Sequence, residues 1–400
     1  MRVLLAAVSA RPGGHRKALE EFAAEGCDWA SVLQLADKHG LGPLAAWLIS
    51  ETLSDSLPAE VLSLLRQRVQ QSAGRNLTAV VELRRIFGAL NAAGVPAILL
   101  KGLSLAERSY GNLALREFAD LDVLIDEAQL EGALAALREA GYCSTDPPNV
   151  RWLPGTMETS ISRESSGWNV DLHWRLLPRY FGAVREARLR AEPSPMDIAG
   201  SPMPVLGAEA ELVFLAANGA RECWSVLRAP GDIAYLVRSR TMDWRRVEEF
   251  AADARTGRAL SVALLLAERL FDAPVPAAVL RRAESDRAAN KLAGYFAARL
   301  LSSEPDMSSA PHEAMLQMRQ LSTVAQRLGY AIRRIFEPSQ LDAFWLPLPR
   351  RLTPAYYFLR PVRVSLQCAR QALRLLFRSA SPSPPSAPRS KRRANALPPL

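Results

Sequence analysis

Between Leu99 and Asp126 the chain reads LLKGLSLAERSYGNLALREFADLDVLID, and several residues in this stretch could do chemistry. Lys101-Gly102 follow a short apolar run. A glycine there lets backbone N–H groups approach an anion at the start of a helix whose dipole favours negative charge, and the lysine adds a cation beside the turn. Asp120-Leu121-Asp122 head a second apolar run. Residues two apart on a strand share a face, so the two carboxylates stand side by side and repel unless a cation sits between them. Hard divalent ions such as Mg²⁺ take oxygen ligands, usually one or two carboxylates plus substrate phosphates. Val170-Asp171-Leu172-His173-Trp174 offers the third carboxylate that a two-metal site needs. There Asp171 and His173 share one face while Val170, Leu172 and Trp174 point inward. An anion cradle followed by paired carboxylates suits metal-assisted nucleotidyl transfer. Each part alone is common, since D-x-D pairs arise by chance among 41 acidic residues and a lone histidine is more often structural. The order of the parts is the specific signal.

Those residues need a scaffold. Residues 15–92 carry apolar residues at helical spacing: Leu19, Phe22 and Ala23, then Val32, Leu35 and Ala36, then Leu44, Trp47 and Leu48. Pro58 suits the first turn of a long helix reaching Leu90, and Gly94 suits its end. Pro96 to Leu100 and Leu121 to Ile125 read as buried strands, and Glu127 to Gly141 as a helix. Tyr142-Cys143 begins an extended stretch. Met157 to Ser162 and Trp168 to Trp174 alternate around the turn signal Ser165-Ser166-Gly167, which predicts an antiparallel hairpin. Helical patterns return over 208–219, 224–239, 243–254, 256–270, 276–300 and 312–335. The expected organisation is a helical region over 1–94, an α/β core over 95–205, a helical region over 206–340, a basic amphipathic segment over 341–378 and a disordered Pro/Ser/Arg tail over 379–400. The fold class expected is α+β, a small mixed sheet flanked by helical regions.

The same residues carry a family resemblance. Leu99-Leu100-Lys101-Gly102, Arg116, Asp120-Leu121-Asp122-Val123-Leu124-Ile125 and Asp171-Leu172-His173-Trp174 resemble an uncharacterised bacterial nucleotidyltransferase family within the superfamily that has the DNA-polymerase-β-like palm. A later family element is similar to Asn218-Gly219, Trp224 and Asp232-Ile233-Ala234. The resemblance implies that Asp120, Asp122 and Asp171 hold Mg²⁺ or Mn²⁺ and act in catalysis. It implies that Gly102 borders the triphosphate of ATP or another nucleotide, with Lys101, Ser104 and Arg116 on the nucleotide side and His173 behind the carboxylates. Arg116 either meets phosphate or pairs with a carboxylate. Two positions depart from the pattern. Ser104 stands two residues after the glycine rather than next to it, and Asn218 stands where histidine is commoner.

Composition sets the outer bounds. The apolar share of 49% supports a substantial core, and four cysteines far apart support neither a disulfide scaffold nor a CxxC metal site. The longest apolar run, Ala259 to Ala267, is too short to span a bilayer. The net charge is +9, yet no acidic residue follows Asp342 and the last 58 residues carry +11, so the body is close to neutral. Nucleic acid is therefore the least favoured partner. From Val362 onward Leu366, Leu373 and Leu376 share a side, with Arg363, Arg370 and Arg374 opposite. That segment is either a last helix with solvated arginines or a contact with an anionic membrane surface over 352–393. The expected location is cytoplasmic, at most peripheral to the inner membrane. The expected activity is transfer of a nucleoside monophosphate from a nucleoside triphosphate to an unknown acceptor hydroxyl or phosphate. The alternative is a non-catalytic nucleotide-binding or scaffold protein of the same fold.

Overall fold

The computed structural model describes residues 1–9, 14–146, 151, 153–182, 186–302 and 310–366. The expected disordered tail, Trp152, Cys368 and the arginines beyond Arg363 lie outside the described residues. Five helices come first: α1 (Arg2–Val8), α2 (Gly14–Ala24), α3 (Trp29–Lys38), α4 (Gly42–Thr52) and α5 (Ala59–Ala92). Pro58 is the N-cap of α5, and its end is closed by Gly94 N–H on Asn91 O at 3.0 Å and Val95 N–H on Leu90 O at 2.9 Å. Gly94 takes φ of +69°, which glycine adopts without a Cβ penalty.

The sheet follows. Its strands are β1 (Ala97–Leu99), β2 (Asp120–Ile125), β3 (Cys143–Ser144), β4 (Glu158–Ser162), β5 (Asn169–His173), β6 (Ser194–Asp197) and β7 (Pro202–Val205). They form one seven-stranded mixed sheet in the order β3-β4-β5-β2-β1-β7-β6. The expected hairpin is β4–β5, antiparallel, with Glu158 opposite His173 and Ser160 opposite Asp171. β2 and β5 run parallel in the centre, with Asp122 opposite Asp171. The β6–β7 hairpin was not foreseen. Its prolines, Pro195, Pro202 and Pro204, hide the strand signal, and it lies at the sheet margin, where a missing N–H is tolerated. Between strands lie α6 (Leu103–Tyr110), α7 (Leu130–Glu139) and the short α8 (Arg179–Gly182) and α9 (Glu186–Arg190).

Helices then dominate: α10 (Ala208–Arg221), α11 (Arg228–Ser239), α12 (Trp244–Asp253), α13 (Gly257–Phe271), α14 (Ala277–Ser285), α15 (Arg287–Leu301), α16 (Ala310–Arg319), α17 (Val324–Phe336), α18 (Gln340–Trp345) and a last helix, α19 (356–366). The pattern over 276–300 is two helices, broken where Asp286 caps α15 through its side chain. That over 312–335 is also two, broken where Thr323 and Gln326 form a capping box for α17.

The hydrophobic residues gather in two principal cores. One lies among the sheet, α5 and α7, with Leu83, Val123, Leu137, Val170 and Trp174. The other joins the N-terminal helices to α10–α15 without a break, through Leu44, Ile49, Leu212, Trp224, Leu264 and Phe271, and takes in Leu100 and Leu124 beside the sheet. The chain is thus α+β, a mixed sheet backed and flanked by helices. At the far end, Gly155 N–H donates to Pro338 O at 3.1 Å, and a Cβ on Gly155 would stand 2.6 Å from that oxygen. Glycine there is what lets 338–366 lie against the loop before β4.

Candidate active site

Asp120, Asp122 and Asp171 converge at the start of β2 and the middle of β5. One carboxylate oxygen from each lies within 4.8 Å of the others. The register explains it: Asp122 and Asp171 are direct neighbours on parallel strands, and Asp120 lies two residues before Asp122 on the same face. Asp122 is buried, while Asp120 and Asp171 are half-buried.

The surrounding side chains settle which oxygens are in use. His173 Nε2 lies 2.9 Å from Asp122 Oδ1, and its Nδ1 lies 3.0 Å from Glu158 Oε2. Both ring nitrogens face carboxylates, so the ring fits as an imidazolium hydrogen-bonded to Asp122 and at ion-pair distance from Glu158. Burial disfavours that charge, but Asp122 and Glu158 outweigh burial and hold the pKa at about 9. Lys101 Nζ adds a contact to the same Oδ1 at 3.2 Å. Burial opposes ionisation of Asp122 too, yet Lys101 and His173 keep it well below the usual carboxylate range. Asp171 goes the other way: burial raises its pKa, helped by Asp122 and Glu158, although Ser160 Oγ donates to its Oδ1 at 2.6 Å.

Asp122 Oδ2 remains, a buried carboxylate oxygen with no hydrogen-bond partner among the described residues. An orphaned anionic oxygen is costly. Three carboxylate oxygens of which one is so orphaned suit a hard divalent cation. The residues present therefore fit Mg²⁺ or Mn²⁺, with Asp120, Asp122 and Asp171 as the holders. His173 has both nitrogens committed and stands behind the donors as a clamp.

The loop after β1 presents Lys101-Gly102. Gly102 has φ of +59° and ψ of −116°, a glycine conformation, and it caps α6. Two residues expected on the nucleotide side are engaged elsewhere. Ser104 is fully buried, and its hydroxyl contacts Lys101 O at 2.9 Å and Glu211 at 3.1 Å. Arg116 is buried and bound on two prongs to Asp232, each at 2.9 Å, with Tyr110 OH on the same carboxylate at 2.8 Å. Asp232 takes Arg116 Nε and one terminal nitrogen, and the other terminal nitrogen lies 3.4 Å from Gly102 O, so the guanidinium stands in a buried ion pair.

Three neighbours were missed. Ser160 and Glu158 follow from the hairpin register once it is known, since they face Asp171 and His173. Arg221 at the end of α10 carried no local signal. It donates to Asn218 Oδ1 at 2.9 Å and, with Asn218, Lys101 and His173, lines a small cavity beside the carboxylates. Asp232, part of the later family element, is the partner of Arg116. Gly219 and Trp224 are structural as well. Trp224 is fully buried and donates to Gln320 Oε1 at 2.8 Å, and a Cβ at Gly219 would overlap its ring.

A family model described as "Uncharacterised nucleotidyltransferase" matches residues 25–272. The chain belongs to that family. This member is accordingly a transferase, and the family match spans the whole constellation from Lys101 to Asp232. No curated protein matches the chain. Among solved structures, the solution structure of the antibiotic-resistance factor ANT(2'')-Ia is similar at 14% identity with a TM-score of 0.33, over 46% of this chain and 95% of that one. A crystal structure of ANT(2")-Ia in complex with adenylyl-2"-tobramycin is similar at 13% identity and a TM-score of 0.33, over 45% of this chain and 98% of that one. Likeness of that size bears on neither substrate nor partner.

Proposed function

We propose that the protein moves a nucleoside monophosphate from a nucleoside triphosphate, ATP among them, to an acceptor hydroxyl or phosphate, using Mg²⁺ or Mn²⁺ held by Asp120, Asp122 and Asp171. The observation that carries this reading is the convergence of three carboxylates with one orphaned buried oxygen, in a chain of nucleotidyltransferase family. When bound, the cation neutralises charge that develops on the phosphates. The acceptor oxygen bonds to the α-phosphorus, the bond from that phosphorus to pyrophosphate breaks, and the acceptor proton goes to Asp171. Asp171 suits that role because it is half-buried on the strand face beside Asp122. Lys101 and the Gly102 turn supply positive charge and a close backbone approach for the leaving phosphates. His173 fixes the orientation of Asp122.

A second cavity, of about 190 Å³, shares the lining residues Met157 and Pro178 with the first. Tyr180 and Tyr330 wall it, edge to face at 5.0 Å. Three of its arginines are matched: Arg360 by Asp342, Arg333 by Glu337 and Arg175 by Glu127. Among the described residues, Arg179 and Arg334 meet no carboxylate at ion-pair distance, and Arg179 Nε is buried without a hydrogen-bond partner. This supports an acceptor that brings an anionic group beside a ring or other flat apolar part.

The test is pyrophosphate release with each of the four nucleoside triphosphates and Mg²⁺ or Mn²⁺, with cell extract as acceptor source. Wild type should release pyrophosphate, and Asp122→Asn and Asp171→Asn should each lose on the order of 10²–10³-fold. Arg179→Gln should raise the extract concentration needed for half-maximal rate and leave the triphosphate KM unchanged. The engagement of Ser104 and Arg116 elsewhere favours the non-catalytic reading. Folded wild type that binds Mn²⁺ and nucleotide but releases no pyrophosphate would select it.

A further inference from the structure

The C-terminal helices are built inside out. On α19, Phe358, Val362 and Leu366 recur every fourth residue and form one stripe, and that stripe is exposed, Phe358 to 81%. The opposite side holds Tyr356, Arg360 and Arg363, all buried. Arg360 and Arg363 both close on Asp342, at 2.5 and 2.6 Å, and Arg360 also donates to Ser339. A helix at a water interface puts its apolar residues in and its arginines out. The expected solvated Arg363 is therefore corrected by the structure, because Asp342 draws both guanidiniums inward.

The exposed stripe does not stand alone. Of the nineteen large hydrophobic side chains left exposed among the described residues, fourteen lie between 324 and 366. On α17, Val324, Leu328, Ile332 and Ile335 follow helical spacing along one face, and α18 adds Leu341, Phe344 and Trp345. Water does not favour so dense a set, and such patches mark contact surfaces. No described helix is long and apolar enough to cross a membrane.

Charge selects what covers the surface. After Asp342 the chain has eleven basic residues and no acidic one. A second copy would bring two such basic segments together. A nucleic acid would meet the charge but leave the phenylalanines in water. An anionic lipid surface answers both features: headgroups meet exposed arginines such as Arg333, Arg334, Arg350 and Arg351, and the acyl boundary takes Phe358, Phe344, Trp345 and the α17 stripe. We infer that residues 324–366 form a docking surface for anionic lipid. This goes beyond nucleotidyl transfer and stands or falls apart from it.

The test is co-sedimentation of the full chain with vesicles of phosphatidylglycerol, of phosphatidylcholine, or of neither. Wild type should pellet with phosphatidylglycerol, at least tenfold less with phosphatidylcholine, and less as salt rises. Phe358→Ser/Val362→Ser/Leu366→Ser should lose at least tenfold in vesicle binding while keeping its melting temperature, since these side chains are exposed. Arg389→Gln/Lys391→Gln/Arg392→Gln/Arg393→Gln should weaken binding and flatten its salt dependence. Equal binding by wild type and the triple variant would overturn the inference, as would no binding by folded wild type. So would a dimer that the triple variant splits, which would assign the face to a second copy. RNA binding untouched by the triple variant but lost in the quadruple one, without any vesicle binding, would assign the basic segment to nucleic acid. Binding that rises in the quadruple variant would mean that the tail itself covers the face.

Discussion

Asp122 owes its position to the division of labour between its two oxygens. Oδ1 is taken by His173 and Lys101, and Oδ2 is left without a partner at 3% exposure of the residue. A cation beside one oxygen lowers the cost of keeping the carboxylate ionised while the other points at a ligand. Glu186 shows the opposite balance. Burial raises its pKa to about 7, and the Leu176 and Leu177 N–H groups that donate to it offset only part of that. Its folded-state pKa stands above the ordinary value, so the stability it contributes is complete below the ordinary carboxylate range and is lost as pH rises through about 7. Between pH 5 and 8, Glu186→Gln should flatten the fall in denaturation midpoint seen in wild type, by on the order of 2–3 kcal/mol in unfolding free energy. Parallel midpoints for the two proteins across that range would show that Glu186 ionises freely.

Between elements, the buried Arg116–Asp232 pair helps hold β2 against the helical region. Asn76 on α5 supports it, donating to Leu113 O and Arg116 O at 2.5 and 2.9 Å. The pair ties the lead-in to β2 to α11, and both members are buried. Removing one partner leaves an uncompensated charge, so Arg116→Met should cost on the order of 3–5 kcal/mol in urea unfolding, and Arg116→Met/Asp232→Leu should recover most of it. An Arg116 that served phosphate would instead show unchanged stability with a raised triphosphate KM. β1 and β2 were legible as short apolar runs bounded by turn residues, and β4–β5 by alternation around a turn signal. The β6–β7 hairpin was not, since prolines that a strand margin tolerates look like breakers in a sequence. The three aspartates were legible as types on strand faces. Their meeting depends on β2 and β5 being parallel neighbours, which no local pattern encodes. Arg116 was legible only as a charge, for its partner lies 116 residues away.

At the scale of the molecule, the helices before the sheet and those after it share one core. Leu44 and Ile49 pack in the same cluster as Trp224 and Phe271. The helical regions expected over 1–94 and 206–340 are thus joined by burial. One calorimetric transition is expected for residues 1–346. Leu44→Ala should shift that transition as a whole, at a cost of about 2–5 kcal/mol. A separate early transition, with pyrophosphate release intact above it, would mean that the N-terminal helices fold independently.

The inventory and its local placement are legible in the chain read residue by residue: a lysine–glycine turn, carboxylates at i and i+2 on a strand, a third on a hairpin strand, and a basic end without acids. Helix and strand periodicities are local consequences of burial, so they can be read in a single pass. The tertiary structure alone decided which charges meet. It gave His173 two carboxylates, left one Asp122 oxygen unpaired, spent Arg116 and Ser104 on packing, and turned α19 with its arginines inward. These outcomes depend on which distant residue fills each neighbouring position, and electrostatic energy in a buried site depends on that partner more than on residue type.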